Sequence, residues 1–255
     1  SSEHCRRACE LVLNGAVGKL KSIEVHAPGG KTGGSTTALA VPEGFDYEMW
    51  LGPAPYSPYT EDRCTNEGSW YVYDNSIGFL GGWGAHPLDL AVWPMSPEQA
   101  VPVEFEGTGE IPTQGLFTAV TTWDIRGKYA GGAEFIFKSG SDLTIFTGEN
   151  GSISVSRGGL SSNPDSLIRT RLAPDARRLQ ASTNHGQNFV EAIKTRVQPV
   201  SNIDDAVRSD AISQLSDIAI RTGRKIRWDL QKETIVGDDQ ASRMLRRALR
   251  SPWRL

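Results

Sequence analysis

The chain has 255 residues, 38% of them hydrophobic and 22% charged, enough for one large or two small folded domains and too apolar for a disordered chain. A formal charge of -3 and a pI near 5.9 argue against a nucleic-acid partner, because binding phosphates needs a basic surface. No apolar run approaches the roughly 20 residues that span a bilayer, so a soluble chain with no membrane partner is expected, and three cysteines cannot close a disulfide set.

The first predicted element is a helix over 2–14, capped by Ser1 or Ser2, with Cys5, Ala8, Cys9 and Val12 on one stripe and Gly15 as its stop. Cys5 and Cys9 read as buried small side chains, and His4 beside them is too little for a metal, so no metal site is expected. A strand follows at 19–26. Residues 27–69 then hold most of the glycine and proline of the first half, and so long a stretch without periodicity is often functional. Inside it, Trp50-Leu51-Gly52-Pro53-Ala54-Pro55-Tyr56 joins rigid turns to large rings. It reads either as a loop bordering a sugar or polyol, or as a proline-stiffened loop packing its own aromatics.

Gly81 to Trp93 brings His86, Asp89, Trp83 and Trp93 to a predicted loop-to-helix junction. An imidazole with a pKa near 6.5, held there on an apolar support, suits proton transfer; the alternative is a histidine capping the first helical turn. Tyr71, Tyr73 and Asp74 fall just before this segment and are candidates for the same cleft, with Arg63 a more distant hydroxyl or anion contact.

Strands are predicted at 100–107, 116–126, 131–138, 142–147 and 152–156, the last two joined through Glu149-Asn150-Gly151 as a tight hairpin. That turn explains Asn150-Gly151-Ser152 better than glycosylation does. Residues 157–184 read as an exposed loop. Helices follow at 186–196, where His185 and Asn188 suggest an N-cap, and at 203–222. A short strand at 225–228 and a helix at 238–249 close the chain. The arginines at 243, 246, 247 and 250 read as a solvated face or a cationic helix end. Strands without intervening helices imply an α+β fold, a large and mostly antiparallel open sheet with helices covering one face. In the segment around Phe117 to Trp123, apolar and β-branched residues fall on both sides, so the open face is expected to meet a partner.

Two nucleotide motifs are rejected. Gly30-Lys31-Thr32 lacks the glycine a phosphate loop needs where Val25 stands, and no Gly-x-Gly-x-x-Gly joins a strand to a helix.

Arg7-Ala8-Cys9-Glu10-Leu11-Val12-Leu13-Asn14-Gly15-Ala16-Val17-Gly18-Lys19, the Trp50-Leu51-Gly52-Pro53-Ala54 loop, Trp83-Gly84-Ala85-His86-Pro87-Leu88-Asp89, and the stretch from Trp228-Asp229 to Arg250-Ser251-Pro252-Trp253 occur in one order. Together they resemble the C-terminal part of Gfo/Idh/MocA-type oxidoreductases, in a bacterial subgroup, over residues 2–255. The resemblance implies a single substrate-binding and oligomerisation domain over 1–255, with NAD or NADP bound mainly by an N-terminal Rossmann domain outside this sequence. A first residue Ser1 and a first methionine at Met49 agree with a processed chain or a fragment. The substrate implied is a sugar or cyclitol whose secondary alcohol is oxidised, with a homodimer or homotetramer formed through the sheet face. A glycosidase-type elimination using the same cofactor and an inert carbohydrate-binding or assembly subunit are the alternatives. By the same resemblance His86 matches the family's proton-transferring histidine, while the aspartate expected four residues earlier is Gly82 here. Asp89 matches the next acidic position. Trp50, Arg63, Tyr73, Asp74, Trp83 and Asp89 are the expected substrate contacts, and the compartment, cytoplasm or periplasm, is left open.

Overall fold

Alternation of apolar and polar residues puts one face of each strand in a core and the other in water. The computed structural model describes residues 2–254. Its strands are β1 (Leu20–Ala27), β2 (Glu104–Glu110), β3 (Thr122–Lys128), β4 (Glu134–Ser139), β5 (Leu143–Gly148), β6 (Gly151–Ser156), β7 (Gly159–Asn163), β8 (Ile226–Asp229) and β9 (Thr234–Ile235). They form one sheet in the order β7-β6-β5-β1-β4-β3-β2-β8-β9. Only β1 and β4 pair in parallel; the other neighbours pair antiparallel.

The inner face carries Ile23, Val25, Phe105, Trp123, Ile125, Phe135, Phe137, Phe146 and Ile153, all buried. Each such side chain contributes about 1.5–3 kcal/mol when fully removed from water. Helices α1 (Glu3–Leu13), α4 (Ala85–Val92) and α7 (Ile203–Thr222) lie across that face. The expected α+β arrangement, an open sheet covered on one side, is therefore the one observed. The remaining helices are α2 (Tyr47–Leu51), α3 (Asn66–Tyr71), α5 (Ser166–Arg169), α6 (His185–Thr195) and α8 (Asp239–Arg243).

Four expectations differ from the structure. Ser2 occupies the N-cap of α1 but its side chain makes no capping bond, and Ser1 lies outside the described residues. The strand expected at 116–126 begins only at Thr122. Leu116 to Thr121 are irregular because their amides are bound elsewhere: Leu116 N–H donates to Gly33 O at 2.8 Å, and Thr118 and Ala119 donate to Tyr71 O at 2.8 and 2.9 Å. The apolar residues on both sides of that segment thus belong to an irregular buried stretch. The outer face of β3 is polar, with Thr122, Asp124, Arg126 and Lys128 exposed.

The third difference is the loop at 157–184, which contains β7 and α5 and is tied to α1. Asn14 and Arg177 exchange two hydrogen bonds of 2.9 Å, and Leu179 N–H donates to Glu10 Oε1 at 3.2 Å. The fourth is the last helix, which stops at Arg243. Beyond it Arg247 packs on Tyr73, and Arg250 donates to Ala54 O at 3.0 Å and Gly52 O at 2.8 Å. Those arginines therefore hold neighbouring segments where a solvated face was expected. No helix among the described residues is long and apolar enough to cross a membrane.

Candidate functional site

Helix α4 begins at the glycine-rich turn and carries His86 and Asp89 into a cavity of about 320 Å³. That volume suits a small polar molecule such as one sugar ring. The helix places both residues on one side because they are three positions apart. Gly84 lets the turn close, since a side chain there would strike the Leu80 carbonyl. The buried Thr144 of β5 then fixes the helix, its hydroxyl donating to Pro87 O at 2.8 Å.

The other walls come from distant segments. Cys5 of α1 lies on one side, and Asn202 and Asp205 at the start of α7 lie on another. Asp205 pairs with Arg208 at 2.8 Å and accepts from Asn202 Nδ2 at 2.8 Å. Asp142 and Arg157 approach from the open end of the β5–β6 hairpin, 3.5 Å apart. The Arg157 guanidinium also lies 4.8 Å above the Trp83 ring, which meets the His86 ring edge-on at 6.0 Å. His185 lines the cavity as well. The N-cap of α6 is Asn184, not His185 or Asn188; Asn188 instead accepts from Val200 N at 2.9 Å.

The electrostatics suit proton exchange. Burial and the Arg157 guanidinium hold His86 below the ordinary imidazole value, with Asp142 pulling it the other way. A neutral, accepting ring at neutral pH follows. Asp89 is pushed up to about 6 by burial and by the negative charge of Asp205. In the fold its ionised form is the disfavoured one. The resulting loss of stability is absent well below pH 3.8, where Asp89 is protonated in folded and unfolded chains alike, grows between 3.8 and about 6, and is constant above; solvent reaching the exposed side of Asp89 keeps it small. Asp89→Asn is thus expected to raise the melting temperature more at pH 8 than at pH 4; equal shifts at both pH values would contradict this.

The other expected contacts lie elsewhere: none of Trp50, Arg63, Tyr73 and Asp74 lines this cavity. Trp50 stacks on Tyr47 with ring centroids 6.0 Å apart, in a loop latched by Arg250. Arg63 is buried, and its Nε has no hydrogen-bond partner among the described residues. Tyr73 is clamped between Arg221 at 3.4 Å and Arg247 at 4.3 Å and hydrogen-bonds the buried Asp217. Asp74 is exposed. Trp83 stands behind His86 and bears on the site through Arg157. The cavity also holds Asp142, Arg157, Ser201, Asn202 and Asp205, polar residues that no local sequence pattern singles out. A signal for two of them was present: counting outward from the Gly148↔Gly151 pair of the hairpin sets Asp142 opposite Arg157.

Gly82 is closed to side chains. A Cβ placed there would clash with the edge of the Trp70 ring and lie 3.1 Å from Gly78 O. The carboxylate sought four residues before His86 therefore has no room in this conformation.

The match of residues 26–255 to a family model defines the class: an oxidoreductase C-terminal domain. The chain belongs to the Gfo/Idh/MocA oxidoreductase family, since residues 26–255 match its model, described as "Oxidoreductase family, C-terminal alpha/beta domain". Among solved structures it is similar to aldose-aldose oxidoreductase from Caulobacter crescentus, at 15% identity and TM-score 0.55, with 88% of this chain and 60% of that chain covered. It is also similar to the WlbA dehydrogenase from Bordetella pertussis, at 12% identity and TM-score 0.55, covering 89% and 61%. For myo-inositol 2-dehydrogenase from Lactobacillus plantarum the values are 14%, 0.50, 89% and 62%. Identities this low show a shared fold. The chain spans about 60% of the length of these structures. No curated protein sequence matches it.

Proposed function

We propose that this chain forms the substrate wall of an NAD(P)-dependent dehydrogenase acting on a secondary alcohol of a sugar or cyclitol. The observation that carries the reading is His86, held neutral at the mouth of a cavity the size of a sugar ring, in a chain of an oxidoreductase family. The proteins of similar fold are described as acting on aldoses and myo-inositol, and the WlbA structure as a complex with NADH and UDP-GlcNAcA.

The residues here do not fit a dinucleotide. The chain has no glycine fingerprint between a strand and a helix, and the cavity matches one ring. In this reading the nucleotide is held by an N-terminal domain outside this sequence, and when bound it supplies a hydride acceptor. His86 would take the hydroxyl proton of the alcohol on its free ring nitrogen. Asp89 and Asp142 accept hydrogen bonds from neighbouring hydroxyls, and Trp83 backs the Arg157 that faces them. Trp50, Arg63 and Tyr73 keep the long glycine- and proline-rich segment in shape, and Asp74 faces solvent. The polar outer face of the sheet is the surface through which two or four copies would pack.

The test uses the full-length protein with its nucleotide-binding segment, NAD or NADP, and a panel of sugars, cyclitols and glycosides. Reduced cofactor and a ketone product are expected in stoichiometric amounts. Glycosidic cleavage without net cofactor reduction would replace this reading with the elimination reaction. Sugar binding with neither product would make the chain a binding or assembly subunit, the reading that the closed position at Gly82 favours.

A further inference from the structure

The long glycine- and proline-rich segment buries a charge that the fold leaves uncompensated. Arg63 is only 8% exposed, and its Nε is buried with no hydrogen-bond partner among the described residues. Three residues earlier, Thr60 is 3% exposed and its Oγ1 is likewise unpartnered. The acidic residues of the segment are committed elsewhere or face water. Asp46 accepts from Met49 N–H at 2.9 Å, Asp62 accepts from Ser35 N–H at 2.7 Å, Glu48 pairs with Arg250 and Glu67 with Lys31, while Glu43 and Glu61 are exposed. Among the described residues Arg63 enters no ion pair.

The surroundings sharpen the imbalance. Burial raises the pKa of the Tyr47 phenol and of the Cys64 thiol, and the Arg63 cation opposes burial at both, so its charge lies within reach of both groups. Tyr47 itself is buried, stacked on Trp50 and edge-on to Tyr59 at 5.6 Å. A lone charge beside such rings is strongly destabilising, and a water molecule brings no countercharge. The turn that carries it is firmly built. Arg63 N–H donates to Thr60 O at 3.3 Å, Thr65 Oγ1 donates to Asp62 O at 2.7 Å, and Gly68 of α3 sits so close that a Cβ there would lie 2.1 Å from Arg63 O. Cys64, the next residue, is half-buried, so the site lies just beneath the surface of the loop.

We propose that Arg63 and Thr60 form a binding site for a small oxyanion, a carboxylate or phosphate group, separate from the histidine-bearing cavity. The Nε and one terminal nitrogen of a guanidinium make a fork that matches two oxygens of such a group, and the Thr60 hydroxyl supplies a further donor. Neither residue lines the cavity at His86, so the site stands whether or not the dehydrogenase reading does.

The test is calorimetric titration of the 255-residue chain with inorganic phosphate and, separately, with acetate, at constant ionic strength. Saturable binding of one equivalent is expected with at least one of them, and the tighter of the two tells a phosphate-bearing ligand from a carboxylate-bearing one. Arg63→Gln should weaken it by about tenfold or more, since the charge-assisted fork is lost. Thr60→Val, which keeps the charge, should weaken it less. In anion-free buffer Arg63→Met should melt above the wild type, because a side chain of similar length replaces an uncompensated charge. Saturating anion should raise the melting temperature of the wild type and leave Arg63→Met unmoved. Failure of both anions to bind the folded wild type would overturn the proposal, and so would equally tight binding by folded Arg63→Gln. A melting temperature of Arg63→Met below that of the wild type in anion-free buffer would overturn it as well, since the protein would then already satisfy the guanidinium. The wild-type titration needs no variant, and Thr60→Val carries the comparison if Arg63→Gln does not fold.

Discussion

If the full-length protein is the proposed dehydrogenase, replacing His86 with asparagine is expected to lower its kcat roughly 100- to 10,000-fold, the usual contribution of a positioned general base. Asparagine keeps a hydrogen-bonding group but cannot take up a proton. His86 is exposed to the cavity and its helix is fixed by Thr144 and Pro87, so the melting temperature should hardly move. Sugar binding, measured calorimetrically, should persist. Loss of binding together with turnover would mean that His86 is a binding residue; unchanged turnover would remove it from the chemistry altogether.

The second large effect is expected at Gly82. Gly82→Asp forces a side chain into the Trp70 ring, and overpacking of this kind costs about 1–3 kcal/mol. Trp70 is 43% exposed, so trimming it to alanine opens the space with little loss of core. The double variant Trp70→Ala, Gly82→Asp should therefore melt well above Gly82→Asp alone. Its turnover should stay near the wild-type value if His86 works without a carboxylate at position 82. A tenfold gain in kcat would instead identify Gly82 as the loss of a catalytic group. Denaturant curves and steady-state kinetics on the three variants separate these outcomes.

What the sequence revealed depended on how local the cause was. The strands at β1 and β4 to β6 announce themselves through alternation, and α7 through an apolar stripe ended by Gly223, because neighbouring residues alone set those patterns. The segment at 116–121 looks like a strand for the same reason. Its amides, however, bind Gly33 and Tyr71, partners more than 40 residues away that no local pattern reveals. The expected last helix runs past Arg243 because Arg247 and Arg250 are good helix formers whose partners, Tyr73 and the Gly52 and Ala54 carbonyls, are equally remote.

The site divides along the same line. His86, Trp83 and Asp89 are legible because one turn and one helix present them. Asp142 and Arg157 join them only through pairing across the hairpin, and Asp205 only through the docking of α7. Tyr73, chosen for its nearness in sequence to His86, is instead sandwiched between two guanidinium groups, because Arg221 and Arg247 arrive from the far end of the chain. Proximity along the chain misled there; the hairpin register would have served better.

The cavity draws its walls from positions as far apart as Cys5 and Asp205. Such a pocket cannot assemble piecemeal: it exists only once the first helix, the central hairpin and the long late helix have all docked. Recognition of a small molecule should accordingly appear late in folding and vanish early in denaturation, and no half of this polypeptide would retain it.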